Sequence, residues 1–117
     1  MFLKIFPIIL ILISGCAPTP KIAFDINRLD GQGLQGNESA KRSLSYEYCA
    51  PKSPQWHSKI SAIDPSSRFM ENSRGRSGCS TNEMLVLGDT HQKNFAEILT
   101  TLSELKEIKT IRETHFE

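Results

Sequence analysis

Met84-Leu85-Val86-Leu87-Gly88, with Asn94-Phe95-Ala96-Glu97-Ile98-Leu99 a few residues on, decides how the chain is to be folded. Four consecutive apolar residues closed by glycine read as a strand buried on both faces. Asn94 then stands where a helix cap is wanted, with Glu97 in the third position of a capping box. Phe95, Ile98, Leu99, Leu102 and Leu105 recur at spacings of three and four, which places all five on one helix face. Residues 109–116 mix Thr, Ile, Arg and His in a loose alternation and read as a final strand. The C-terminal third is therefore a strand-helix-strand unit.

Working back from it, Leu44-Ser45-Tyr46-Glu47-Tyr48-Cys49 alternates large apolar with small or polar residues, the period-two mark of a half-buried strand. Leu44, Tyr46 and Tyr48 are expected to face the core, and Pro51 to end the strand. Ser53-Pro54 offers a cap with proline in the first helical position. Trp56, Ile60 and Ile63 follow on one face, and Asp64-Pro65 closes the helix. Trp56 lies on the apolar stripe and is read as core. Arg68-Phe69-Met70 is a candidate brief strand, and residues 72–78, rich in Gly, Ser and Asn and carrying Arg74 and Arg76, form a basic turn-rich loop. That loop lacks the glycine spacing and terminal Lys and Ser/Thr of a phosphate-binding loop.

These elements sum to a small α+β domain over residues 43–117. Their order, strand, helix, strand, strand, helix, strand, resembles the ferredoxin-like split βαβ sandwich. In that arrangement the first and third strands are taken to run parallel, which sets Cys49 and Cys79 at opposite ends of the sheet. Cysteine arithmetic nonetheless favours a Cys49–Cys79 disulfide, because two cysteines without C-x-x-C spacing in an oxidising compartment pair more often than they bind metal. Where the two expectations compete, the bridge takes precedence.

The compartment is argued from the other end of the chain. Lys4 precedes a nine-residue run, Ile5 to Ile13, too short to cross a bilayer, where about 20 apolar residues are needed. Residues 1–15 are therefore expected to be a signal peptide. Ile13-Ser14-Gly15-Cys16 resembles a bacterial lipobox, with a branched apolar residue followed by two small ones before the cysteine. The resemblance implies that Cys16 becomes the mature N-terminus and carries a diacylglyceryl group and a further acyl chain. More than one chain holds a protein firmly on a membrane. Ala17 is not the aspartate that implies inner-membrane retention in enteric lipoproteins, so the resemblance points to the outer membrane, facing the periplasm.

Residues 16–42, with Gly31-Gln32-Gly33 and Gly36-Asn37 among Pro, Gln and Ser, are expected to be a flexible tether. A free segment of that length reaches about 25–30 Å. Net charge is +1, which offers no electrostatic footprint for nucleic acid. Residues 50–80 carry five Lys/Arg against two acids and residues 81–117 four against seven, a weak dipole.

One constellation invites chemistry. Gly88-Asp89-Thr90-His91 directly after a strand resembles the first D-x-H metal motif of calcineurin-like phosphoesterases, and carboxylate with imidazole suits a catalytic metal. That resemblance implies a metal-dependent hydrolase using Asp89 and His91. However, only 26 residues follow His91 and none forms the family's later Gly-Asp or Gly-Asn-His segments. The plainer account gives Asp89 or Thr90 the turn into the helix. His57, His91 and His115 are scattered, so no nucleophile system presents itself. The expectation is a non-enzymatic binding or assembly lipoprotein without cofactor. It would be held to membrane lipid through Cys16 and work on an envelope protein partner, with a phage-type lysis or exclusion lipoprotein as the alternative.

Overall fold

The computed structural model describes residues 21–115; the expected signal peptide and lipidated Cys16, which fall within residues 1–20, and the last two residues lie outside them. Among the described residues two α-helices, a short 3-10 turn (Ile26–Arg28) and six strands make an α+β domain. A two-stranded hairpin, β1 (Leu34–Gln35) and β2 (Arg42–Ser43), leads into the main strand β3 (Ser45–Pro51). Helix α1 (Pro54–Ile63), strand β4 (Arg68–Met70), strand β5 (Glu83–Asp89), helix α2 (Phe95–Glu104) and strand β6 (Arg112–Glu113) follow. The final strand is shorter than residues 109–116, because Ile111 is taken up by a different partner, described below.

The four-stranded sheet runs β4-β5-β3-β6, and every neighbouring pair is antiparallel. Each β-α-β unit, β3-α1-β4 and β5-α2-β6, is thus split by one strand of the other, which is the arrangement the order of elements foreshadowed. The expected parallel pairing of the first and third strands is corrected. β3 and β5 run antiparallel with Cys49 opposite Leu85, so the end of β3 lies beside the start of β5. The chain before Glu83 then needs only to reach that same end, and Cys79 bridges Cys49 with a Cα–Cα distance of 5.5 Å, in the ordinary disulfide range. Bridge and topology agree once the strand directions are right.

Helix α1 begins where Ser53 is extended and its Oγ accepts from the Trp56 N–H at 3.2 Å, with Pro54 in the first turn where no donor is missed. It stops at Asp64, held extended by the following Pro65. At the start of α2 the expected capping box is absent: Asn94 occupies the cap position but makes no side-chain cap hydrogen bond. The helix is instead held by its apolar face. Phe95, Ile98, Leu99 and Leu102 are all buried, against Tyr46, Tyr48, Met84 and Val86 of the sheet. Trp56, Ile63 and Phe69 pack at the margin of this core, and Lys59 lies over the Trp56 ring at 4.8 Å.

Residues 21–42, expected as a free tether, are built into the domain instead. Ile22 pairs in parallel with Ile111: the Ile111 N–H donates to the Lys21 carbonyl at 2.7 Å and the Ala23 N–H to the Ile111 carbonyl at 2.8 Å. Ile22, Phe24, Ile26 and Leu29 pack on the core, and the Phe24 ring stacks 6.3 Å from that of Tyr46. Partial burial of four large apolar side chains, with the backbone bonds to Ile111, outweighs the flexibility that the surrounding Gly, Asn and Gln residues suggest.

Candidate functional site

Polar side chains concentrate at the end of the sheet where β3 begins and β5 ends. Tyr46 starts this cluster. Its Cα partner across the sheet is Gly88, and a Cβ on Gly88 would stand 2.3 Å from the tyrosine ring. Glycine there is needed for space: it lets the ring lie across β5 and carry its hydroxyl to Asp64. The Tyr46 hydroxyl donates to Asp64 Oδ2.

Asp64 is fully buried, yet its carboxylate is surrounded by donors. Oδ1 accepts from the Ser66 N–H at 2.9 Å, the Ser66 hydroxyl at 2.7 Å and Gln92 Nε2 at 3.1 Å. Gln92 also donates to the Asp89 carbonyl at 2.8 Å, and the Asp89 N–H donates to Ser66 Oγ at 2.9 Å. The end of α1, the turn after it and the β5–α2 connection are therefore fastened through one carboxylate. A buried charge needs this kind of satisfaction to be tolerated. Burial, then the hydrogen bond to Asp64, pushes the Tyr46 phenol well above its ordinary value, so the proton stays on the tyrosine.

A second fastening joins the N-terminal segment to the same end. Thr90, fully buried, donates from Oγ1 to the Gly33 carbonyl at 2.7 Å and accepts there from the Leu44 N–H at 2.9 Å. Asp89 uses both oxygens in the same way: Oδ1 accepts from the His91 N–H at 2.8 Å, and Oδ2 from the Ser43 hydroxyl at 3.0 Å. The His91 ring is exposed, with Nδ1 3.3 Å from the Gln32 carbonyl. Asp89 and His91 are thus brought together as a backbone turn rather than as two ligands aimed at one point. Among the described residues no three His, Cys, Asp or Glu side chains are grouped to hold a metal ion.

Beside these fastenings lies an open groove of about 690 Å³ between the β1–β2 hairpin and the end of β6. Asn37, Arg42, Ser43, Glu113, Thr114 and His115 are among its lining residues. Thr114 donates its N–H to the Ser45 carbonyl at 2.8 Å, but its buried Oγ1 has no hydrogen-bond partner among the described residues. The groove offers a cation, a carboxylate, an amide and a hydroxyl beside apolar surface from residues such as Ala40 and Leu44, around a wide mouth, a surface suited to contact with a peptide-like partner rather than to enclosing a small molecule.

Sequence reasoning found Asp89, His91 and the two bridged cysteines and gave Asp89 or Thr90 the turn into the helix, but it missed Ser66, Gln92 and the buried role of Asp64. The run Asp64-Pro65-Ser66 did carry a signal, since aspartate two residues before an N–H makes an Asx turn; it had been read only as a helix stop. No family model, no curated protein and no solved structure matches this chain.

Proposed function

We propose that this chain is a lipid-anchored protein of the cell envelope whose domain is a non-enzymatic binding or assembly module. The observation that carries the reading is the Cys49–Cys79 disulfide. Such a bridge persists where the compartment is oxidising, and its formation leaves Cys16, alone of the three cysteines, at the lipobox-like Ile13-Ser14-Gly15-Cys16. The binding reading draws on how Asp89, Asp64 and Thr90 are spent on the fold's own hydrogen bonds, while the groove is open and lined by polar and apolar surface alike. An outer-membrane, periplasm-facing position follows the lipobox resemblance and Ala17.

The test is Cys16→Ser in cells fed a clickable fatty-acid analogue. Wild type should take the label and fractionate with membranes, and the variant should remain unlabelled as precursor. Equal labelling of the two would sink the anchor and with it the proposed location.

A further inference from the structure

Resting on the reading of Cys16 as the lipid anchor, we infer that the domain is held directly against the bilayer with a fixed side toward it. The α2–β6 loop meets the lipid headgroups, and the polar end with its groove is turned away. Lys21 is already locked: its carbonyl accepts from Ile111, and its Nζ donates to the Leu105 carbonyl at 3.0 Å. Only residues 17–20 separate it from Cys16.

Chain geometry limits what so short a link allows. Five residue steps span at most about 18 Å when fully extended. A domain of this size has a radius of gyration of about 12–13 Å and is some 30 Å across. The link is shorter than the body it holds, so the body cannot roll its far side onto the membrane. A free segment over residues 16–42 would have permitted every orientation.

Which side is near follows from the sheet. Arg112 pairs with Glu47 and Glu113 with Tyr46, so β6 runs toward the Tyr46–Gly88 end, and Ile111, with Ile22 beside it, lies on the side away from that end. Around Lys21 stand Leu105, where α2 ends, and the loop leading to Ile111. That loop exposes Lys106, Glu107 and Lys109. With exposed Glu104 at the end of α2, this side carries two lysines and two glutamates, so the short link rather than charge sets the orientation. Gly33, Ser43, Asp89 and the groove belong to the opposite end, reached by the chain only after it has run from Lys21 past Ile26 along the domain.

The experiment uses the lipidated full chain in vesicles containing phosphatidylglycerol and an energy-transfer acceptor on a lipid headgroup. A donor is placed at Lys109 in one preparation and at Asn37, on the hairpin, in another. Transfer should be several-fold stronger from position 109, and a thirty-residue Gly-Ser insertion between Pro20 and Lys21 should erase the difference. Equal transfer from the two positions at native link length, in protein whose Cys16 peptide carries the lipid by mass spectrometry, overturns the orientation alone. A difference that survives the insertion overturns the short link as its cause. An unlipidated Cys16 peptide overturns the anchor reading, and the orientation falls with it.

Discussion

On its helix side the sheet presents Tyr46, Tyr48, Met84 and Val86 to two helices and the N-terminal segment, and the contact is apolar except where the Tyr46 hydroxyl meets Asp64. On its other side Glu47, Cys49, Leu85 and Leu87 lie beneath a loop, residues 71–82, that has no large apolar residue to set against them. That loop closes by specific bonds instead. Ser77 donates its N–H and its hydroxyl to Glu47 Oε2 at 3.1 and 2.8 Å, the Cys79 N–H donates to the Arg74 carbonyl at 2.9 Å, and Cys79 is joined to Cys49. Gly75 has φ of +58°, and a Cβ there would lie 2.6 Å from the Glu47 carboxylate, so the loop touches the sheet through bare backbone. Non-directional burial is shared among many residues, whereas directional closure depends on a few. The two faces should therefore fail differently.

The largest expected effect follows from cutting the outer cover. A disulfide across 30 residues constrains the unfolded chain by about 3–4 kcal/mol on the chain-entropy estimate. Cys49→Ser should lower stability in urea by that order. Hydrogen exchange should quicken first at Ser77 and Cys79, while amides of α2 and the middle of β3 stay protected at low denaturant. Loss of protection across both faces at once would break the comparison, because it would make the outer loop a condition for the helix-side core.

The second test concerns the polar fastening on the helix side. Tyr46→Phe removes a donor from the buried Asp64 carboxylate and should cost about 1–3 kcal/mol. It should also change the alkaline limb. Folded Tyr46 and Tyr48 both titrate above the ordinary phenol value of 10.0, burial being the first cause for each. The raised folded value means that the protonated form is the one the fold favours. The contribution is complete below about pH 10 and is lost as the pH rises beyond it, where the unfolded phenols release protons that the folded ones keep. Each tyrosine adds a slope that is about 0.7 kcal/mol per pH unit at pH 10 and approaches about 1.4 kcal/mol per pH unit near pH 11. Tyr46→Phe should halve the combined slope in chemical denaturation between pH 10 and 11. An unchanged slope would mean that Tyr46 ionises freely in the folded protein.

What could be read in advance was whatever repeats locally. Leu44, Tyr46 and Tyr48 alternate and are buried as expected; Trp56, Ile60 and Ile63, then Phe95, Ile98, Leu99 and Leu102, follow the helical period and pack as expected. Strand direction was beyond that kind of signal, and assuming it wrongly set the bridge against the topology until the antiparallel β3–β5 pair reconciled them. The segment 21–42 was misread through its composition, although Ile22, Phe24 and Ile26 do alternate. Its partner Ile111 is almost the whole chain away, and nothing local announces a pairing at that distance. The Asp64 cluster was hidden for a similar reason: its members come from β3, the turn after α1 and the turn after β5, and only the fold makes them neighbours.

The smallest effect is the sharpest, because it separates two tyrosines on one strand and one face. Tyr46 and Tyr48 are both buried, with ring centroids 6.5 Å apart. Tyr46 delivers its hydroxyl to Asp64, but the Tyr48 hydroxyl has no hydrogen-bond partner among the described residues. A buried hydroxyl left unpaired has lost its water without compensation, a cost of about 1–3 kcal/mol, part of which the ring's own packing conceals. Tyr48→Phe keeps the ring and removes that cost, so it should be neutral or raise stability by up to about 1 kcal/mol, with a melting temperature a few degrees higher. The same change at Tyr46 goes the other way. A loss of more than about 1 kcal/mol in Tyr48→Phe would show that its hydroxyl is satisfied in solution, and that the polar fastening reaches one residue deeper beneath the helices than Asp64.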